Sequence, residues 1–160
     1  MRVIYKFLFI VFIFLIACSS GEEKSQVQEA KSIIPKNKYA LLIVESKSCI
    51  YCAQLKKDIK TEKRLQEALK GIDIYTLLYE SYEPVKTNIG GKVEVLSEKE
   101  LARKLKATSF PNLIFYDKNG NLILQIPGYL PPEKFACVIN YVKKEEFKKE
   151  RLEDYIKKCA

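Results

Sequence analysis

Cys49 and Cys52 stand three positions apart in "SKSCIYCAQLKK", and they are the residues of this chain best suited to chemistry. Two sulfurs at this spacing can clip a metal, staple the fold, or open and close as a redox pair. The chain contains no histidine, which excludes a Cys-His protease and any histidine-containing metal site. The apolar run just before Cys49 and the helical pattern that follows place it at a strand-to-helix junction. A helix N-terminus carries partial positive charge and free N–H groups, both of which stabilise a thiolate. The spacing puts Cys52 on the same helix face, within disulfide reach.

The elements that must hold these sulfurs can be read along the chain. "YALLIVES" is a short continuous apolar run, the pattern of a central strand covered on both faces. In "CIYCAQLKKDIKTEKRLQEALKG", Cys52, Leu55, Ile59, Leu65 and Leu69 recur at roughly helical spacing, with Gly71 as the stop and a kink expected near 60–62, where Thr61 is placed to cap a second piece. "IDIYTLLYE" reads as a second strand, and "SYEPVKTNIGGKVEV" as a loop with a Gly-Gly turn and a minor hairpin. Ser97-Glu98-Lys99-Glu100 has the form of a capping box opening a short helix. "NLIFYDKNGNLILQI" reads as two strands around Asn119-Gly120, and a last helix begins near Pro132. The fold class is α/β with the order β-α-β-α-β-β-α. A crossover helix makes the first two strands parallel, and the hairpin adds an antiparallel pair. A charged helical extension covers 144–160.

From Lys38 to about Val142 this pattern resembles the thioredoxin superfamily. "CIYC" stands at that family's redox motif, and "TSFPNLIFYDKNGN" at its cis-proline and β-hairpin. "PGYLPPEKF" stands at the glycine-containing corner before the last helix. The resemblance implies a thioredoxin fold, a four-stranded mixed sheet flanked by helices over 37–143. It also implies that Pro111 is cis and lies against the Cys49/Cys52 pair. Phe110 and Tyr51 would then contact an extended substrate. Bacterial exported thioredoxin-like proteins are the nearer likeness: periplasmic disulfide reductases and isomerases on Tyr51, sulfur-oxidation-associated thioredoxins on "GYLPPEKF" and the C-terminal extension. In this reading Cys49 is the nucleophile and Cys52 the resolving thiol. No cofactor beyond the redox-active disulfide is expected, and no metal. Proton transfer falls to water, backbone and Tyr51.

Two departures stand out. Ile-Tyr replaces the Gly-Pro that ordinary thioredoxins carry between the cysteines. Ile43 occupies the position, six residues before the first cysteine, of their buried acid. Glu45, the nearest acid here, is expected to be a strand-end surface residue. A neutral Tyr51 in the motif stabilises a thiolate less than a histidine would, which points to a reducing pair of about −180 to −270 mV.

The first residues carry a separate signal. "MRVIYKFLFIVFIFLIACSS" has Arg2 and Lys6 followed by an apolar run from Phe7 to Ala17. As a helix that run reaches ~16 Å, about half of a ~30 Å hydrocarbon core, which fits a secretory h-region. Leu15-Ile16-Ala17-Cys18 resembles the lipobox of bacterial lipoproteins, in which the cysteine is acylated and begins the mature chain. An ordinary signal peptide containing a cysteine is the alternative. The expected plan is a signal peptide over 1–17, lipidation at Cys18, and a polar tether over 18–36 that turns helical near 24–34. This implies a periplasmic, lipid-anchored domain in a compartment where disulfides persist. Its partners would be exported proteins with cysteines or disulfides, and a membrane electron transporter as reductant.

The formal charge of +8 falls to +6 without Arg2 and Lys6, and acids interleave with the bases. Solvated helix faces follow from that pattern, not a nucleic-acid stripe, and a monomer is expected. Cys137 and Cys159 are also present. One unbroken helix would set them ~33 Å apart. The apolar stripe lapses through "KKEEFKKE", favouring a break near 144–149, and a chain folding back there opens a Cys137–Cys159 bridge. The alternative is a buried Cys137 with an unpaired Cys159. Two other function classes stay open: a non-catalytic binding or adaptor module on the same fold, and a structural zinc site using Cys49, Cys52, Cys137 and Cys159.

Overall fold

In a computed structural model, which describes residues 29–159, two sheets share one body. The main sheet has the order β3-β2-β6-β7, from β2 (Tyr39–Glu45), β3 (Ile72–Leu78), β6 (Asn112–Asp117) and β7 (Leu122–Pro127). β2 runs parallel to β3 and antiparallel to β6, and β6 pairs antiparallel with β7. The sequence pattern explains this placement. Every residue of β2 is buried, as a strand covered on both faces requires. Alternate side chains serve opposite cores: Leu41 and Ile43 join Leu113 and Phe115 on one side, while Leu42 and Val44 join Ile114 and Tyr116 on the other.

The first core is covered by α1 (Ile50–Thr61), α2 (Lys63–Leu69) and α4 (Pro132–Lys143). α1 and α2 meet at Glu62, whose extended backbone (φ −89°, ψ 106°) forms the expected kink. The second core lies under α3 (Glu98–Lys104) and a small sheet, β1 (Lys31–Ser32), β4 (Pro84–Thr87) and β5 (Glu94–Ser97), in the order β1-β4-β5. Ser97 caps α3: its hydroxyl accepts the Glu100 N–H, and the Glu100 carboxylate accepts the Ser97 N–H.

The small sheet corrects one expectation. Residues 31–32 form a strand beside β4, not a helical tether. Ile33 is fully buried in the second core, and the Tyr75 hydroxyl donates to the Ile34 carbonyl at 3.1 Å. Two apolar residues and one edge strand were enough to draw this stretch into the domain. The signal peptide expected over 1–17, the lipidation expected at Cys18 and the expected tether up to 28 lie outside the described residues.

The hairpin over 84–97 is tied to the β6–β7 turn. Asp117 accepts the N–H groups of Asn119 and Asn121, and the Gly90 N–H donates to the Gly120 carbonyl at 2.8 Å. Gly120 has φ +85°, and a Cβ there would lie 1.8 Å from the Asn88 carbonyl oxygen. Only glycine fits that approach.

After α4 the chain turns at Glu145 (φ +57°) into a short 3-10 turn, Glu146–Lys148, and then α5 (Leu152–Cys159) folds back. The Glu145 carboxylate is held there by Lys148 and Lys38 and by the Tyr39 hydroxyl, which donates at 2.8 Å. Those bonds push its pKa from 4.5 down to about 2. A carboxylate depressed in the folded state stabilises the fold above its unfolded value and loses that effect as pH falls through the folded one. Urea midpoints between pH 5 and pH 2 are therefore expected to fall less steeply for Glu145→Gln than for the parent. Parallel slopes would remove Glu145 as an acid-sensitive tie.

Candidate functional site

β2 delivers the chain to the mouth of the site, and a tight loop turns it into α1. That loop is pinned from the side. The Ser46 hydroxyl donates to Glu80 at 2.9 Å and the Lys47 N–H to the same carboxylate at 3.2 Å. Burial raises the Glu80 pKa, but these donors outweigh it and hold the group below its usual value.

Cys49 is the N-cap of α1, and its Sγ accepts the Cys52 N–H at 3.0 Å. The sulfur therefore occupies the place where a capping oxygen usually satisfies a free amide at the positive end of the helix. Cys49 and Cys52 are joined at an S–S distance of 2.09 Å, so the structure presents the oxidised pair. Cys49 is half-buried and Cys52 is only 3 % exposed. The asymmetry separates an accessible sulfur from a shielded one.

The Phe110–Pro111 bond is cis. Phe110 closes one side of a shallow cavity of about 320 Å³ whose other lining residues are Ser46, Ser48, Cys49, Ile50 and Tyr51. Its ring leans on Tyr79 at 5.1 Å between centroids. The structure thus brings Cys49, Tyr51 and Phe110 to one opening. Ile50 and Tyr51 project from it, 82 % and 62 % exposed.

Three residues at or near this site escaped the sequence. Glu45 is not a surface residue: it is 7 % exposed, Oε2 pairs with Lys56 of α1, and Oε1 is buried without a hydrogen-bond partner. A lysine one turn beyond Cys52 covers the strand end and supplies the charge that makes this burial tolerable. Asp58 and Tyr129 form a second polar unit. The Tyr129 hydroxyl donates to Asp58 Oδ2 at 2.6 Å, and Gln54 Nε2 donates to Oδ1 at 2.7 Å. Asp58 is 5 % exposed, and the Tyr129 ring stacks on Tyr51 at 5.7 Å and 22°. One signal was available: Tyr51, Gln54 and Asp58 lie at i, i+3 and i+7, on one helix face.

Cys137 and Cys159 lie elsewhere, on α4 and at the end of α5. They are joined at 2.09 Å with their Cα atoms 5.9 Å apart. The four cysteines of the zinc alternative are therefore spent in two separate disulfides.

Comparison with known proteins follows the same lines. The profile of a thioredoxin-like domain matches residues 26–143. No curated protein matches the chain. A solved thioredoxin-fold protein from Helicobacter pylori is 29% identical over 81% of this chain and 88% of its own, with a TM-score of 0.74. A thioredoxin-like protein from Clostridium perfringens is 16% identical over 84% of this chain and 98% of its own, TM-score 0.52. A thioredoxin from Thermus thermophilus is 15% identical over 66% of this chain and 74% of its own, TM-score 0.51. The latter two share the fold alone.

Proposed function

The chain belongs to the thioredoxin-like domain family, and from that premise we propose that it is a thiol-disulfide oxidoreductase that reduces or isomerises protein disulfides outside the cytoplasm. One observation carries the reading. Cys49 Sγ caps α1 and takes the Cys52 amide, so the same helix end that holds the disulfide would hold a Cys49 thiolate once the bond opens.

The reaction follows from the two exposures. The Cys49 thiolate attacks one sulfur of a target disulfide. A mixed disulfide forms, and the target's other cysteine leaves as a thiolate and takes up a proton. Cys52 then gives its proton to solvent and attacks Cys49 Sγ. The Cys49–Cys52 disulfide forms and the target's remaining thiolate is released. The target gains two electrons and the pair loses two. Where the target's own thiolate resolves the mixed disulfide first, the outcome is isomerisation and the pair stays reduced. A dithiol donor must return the pair to its reduced form, and a membrane electron transporter fits an exported protein.

The potential tests the direction. Nothing beside Cys49 adds a cationic side chain inside the motif, since Ile50 and Tyr51 fill it. A moderately stabilised thiolate gives about −180 to −270 mV, between the values typical of disulfide isomerase and thioredoxin. Equilibration with glutathione is expected to place Cys49/Cys52 in that window. A value near −120 mV would make it an oxidant, and failure to reduce insulin disulfides would leave a binding module.

The proposal includes the anchor. Lipobox spacing before Cys18 motivates acylation there, with the domain tethered to the periplasmic side of a bacterial membrane. Mass spectrometry of membrane-extracted protein should find the lipid on Cys18 and no peptide from residues 1–17. A soluble mature form starting at another residue would discard the anchor.

A further inference from the structure

Tyr51 is a large apolar ring left 62 % exposed at the mouth of the site. An exposed ring on a helix end would ordinarily sample several rotamers. Here it does not stand alone. Tyr129, in the loop before α4, covers one face of it at 5.7 Å and nearly parallel. Tyr129 is itself fixed at its far end, where its hydroxyl donates to Asp58 Oδ2 at 2.6 Å. Asp58 in turn is 5 % exposed and held through Oδ1 by Gln54. Burial and the Asp58 carboxylate push the Tyr129 hydroxyl up to about 12, so it remains a donor at any working pH. A buried carboxylate on the cysteine-bearing helix is therefore connected, through one tyrosine, to the ring that borders Cys49.

From this juxtaposition we infer that Asp58 and Tyr129 are positioning residues that hold Tyr51 as a rigid aromatic shelf, and that the shelf selects extended polypeptide segments with a large apolar side chain next to the reacting cysteine. The inference rests on the oxidoreductase reading above and names its substrate class. The cavity beside the shelf supports the choice of occupant. Its lining is Cys49, Ile50, Tyr51 and Phe110 with two serines and no charged side chain. It offers a side chain apolar contact on two sides but no partner for a charge. Because Cys49 is part of that lining, a side chain that fills the cavity lies beside the sulfur that attacks. Tyr129 keeps one face of Tyr51 occupied and leaves the other for the substrate. A ring already held loses little freedom when a second group stacks on it, which is how preorganisation raises affinity.

The test uses two cystine peptides that differ only in the residue beside the cysteine, phenylalanine or serine, and their S-methylated forms as unreactive ligands. Wild type is expected to bind and reduce the phenylalanine peptide with a three- to tenfold advantage, the range that one aromatic pair spans. Tyr129→Leu should erase that advantage by raising KM and Kd for the phenylalanine peptide alone, with kcat within twofold. Tyr129→Phe, which keeps the ring but not the bond to Asp58, should lose part of it. Asp58→Asn, which keeps an acceptor, should restore most of what Asp58→Ala loses. The Cys49/Cys52 potential should stay put in all four variants. Equal losses for both peptides, or a fall in kcat with KM unchanged, would overturn the shelf. If wild type reduces both peptides equally and its Kd values show no preference, the shelf is wrong and the oxidoreductase reading stands. If wild type prefers the S-methylated phenylalanine peptide yet reduces neither cystine, the shelf stands and the oxidoreductase reading falls.

Discussion

Replacing Cys52 by serine is expected to stop turnover and leave Cys49 covalently joined to its targets. Cys52 is the resolving group because it is held within bonding distance of Cys49 while being only 3 % exposed. Target disulfides cannot reach it; only Cys49 Sγ can. Effective concentrations for well-oriented intramolecular reactions reach about 10⁵ M or more. A millimolar external thiol cannot match that, so release of the mixed disulfide should slow by at least about a thousandfold. Non-reducing gels of cell extracts expressing Cys52→Ser should show adducts that vanish with dithiothreitol. Cys49→Ser should show none, because the remaining sulfur is buried. Insulin reduction should be lost in both variants. Comparable adducts from the two would mean that the exposures assign the roles wrongly, and turnover surviving in Cys52→Ser would remove it as the resolving thiol.

Much of this site was legible because it rests on local pattern. The apolar run of β2, the helix starting at Cys49 and the Asn119-Gly120 turn are each set by a few neighbouring residues, and each forms where its signal lies. The kink falls within the expected 60–62 but not on the expected cap: Glu62 is the N-cap of α2, while Thr61 ends α1 and its hydroxyl donates back to the Lys57 carbonyl at 3.1 Å. What escaped depends on contacts across the fold. Lys31-Ser32 carries almost no strand signal; it is a strand because β4 offers an open edge and Ile33 has a core to enter. Glu45 reads as a strand-end acid until α1 lays Lys56 over it. Tyr129 sits 78 positions after Tyr51 in the chain, and nothing local announces that the two rings stack. The residues that carry charge and sulfur were readable by type, whereas their partners became visible only with the packing.

The second disulfide is expected to matter for stability and not for turnover. α5 has eight residues and none of them is buried. A helix that short does not persist in water by itself. Leu152, Tyr155 and Ile156 rest partly buried on the first core, and the Tyr141 hydroxyl donates to the Glu150 carbonyl at 2.6 Å. The Tyr155 ring also meets Tyr141 at 5.3 Å and Arg64 donates to the Cys159 carbonyl at 3.4 Å, but the link from Cys159 to the fully buried Cys137 is the covalent tie between α5 and the core. The bridge spans 22 positions. The loop-closure entropy it removes from the unfolded chain is worth about 3 kcal/mol. For a domain of this size that corresponds to a fall of roughly 10 °C in Tm. Cys159→Ser isolates the effect, because it breaks the bridge without changing a core side chain. Urea unfolding under non-oxidising, non-reducing conditions should show the loss in Cys159→Ser. Dithiothreitol opens the Cys49–Cys52 pair in both proteins, so in its presence parent and variant should share one midpoint. Insulin reduction at 25 °C should be unchanged, since neither cysteine lines the opening at Cys49. Equal midpoints for parent and variant, with both thiols recovered free by non-reducing peptide mapping, would show that α5 is held by its apolar contacts alone.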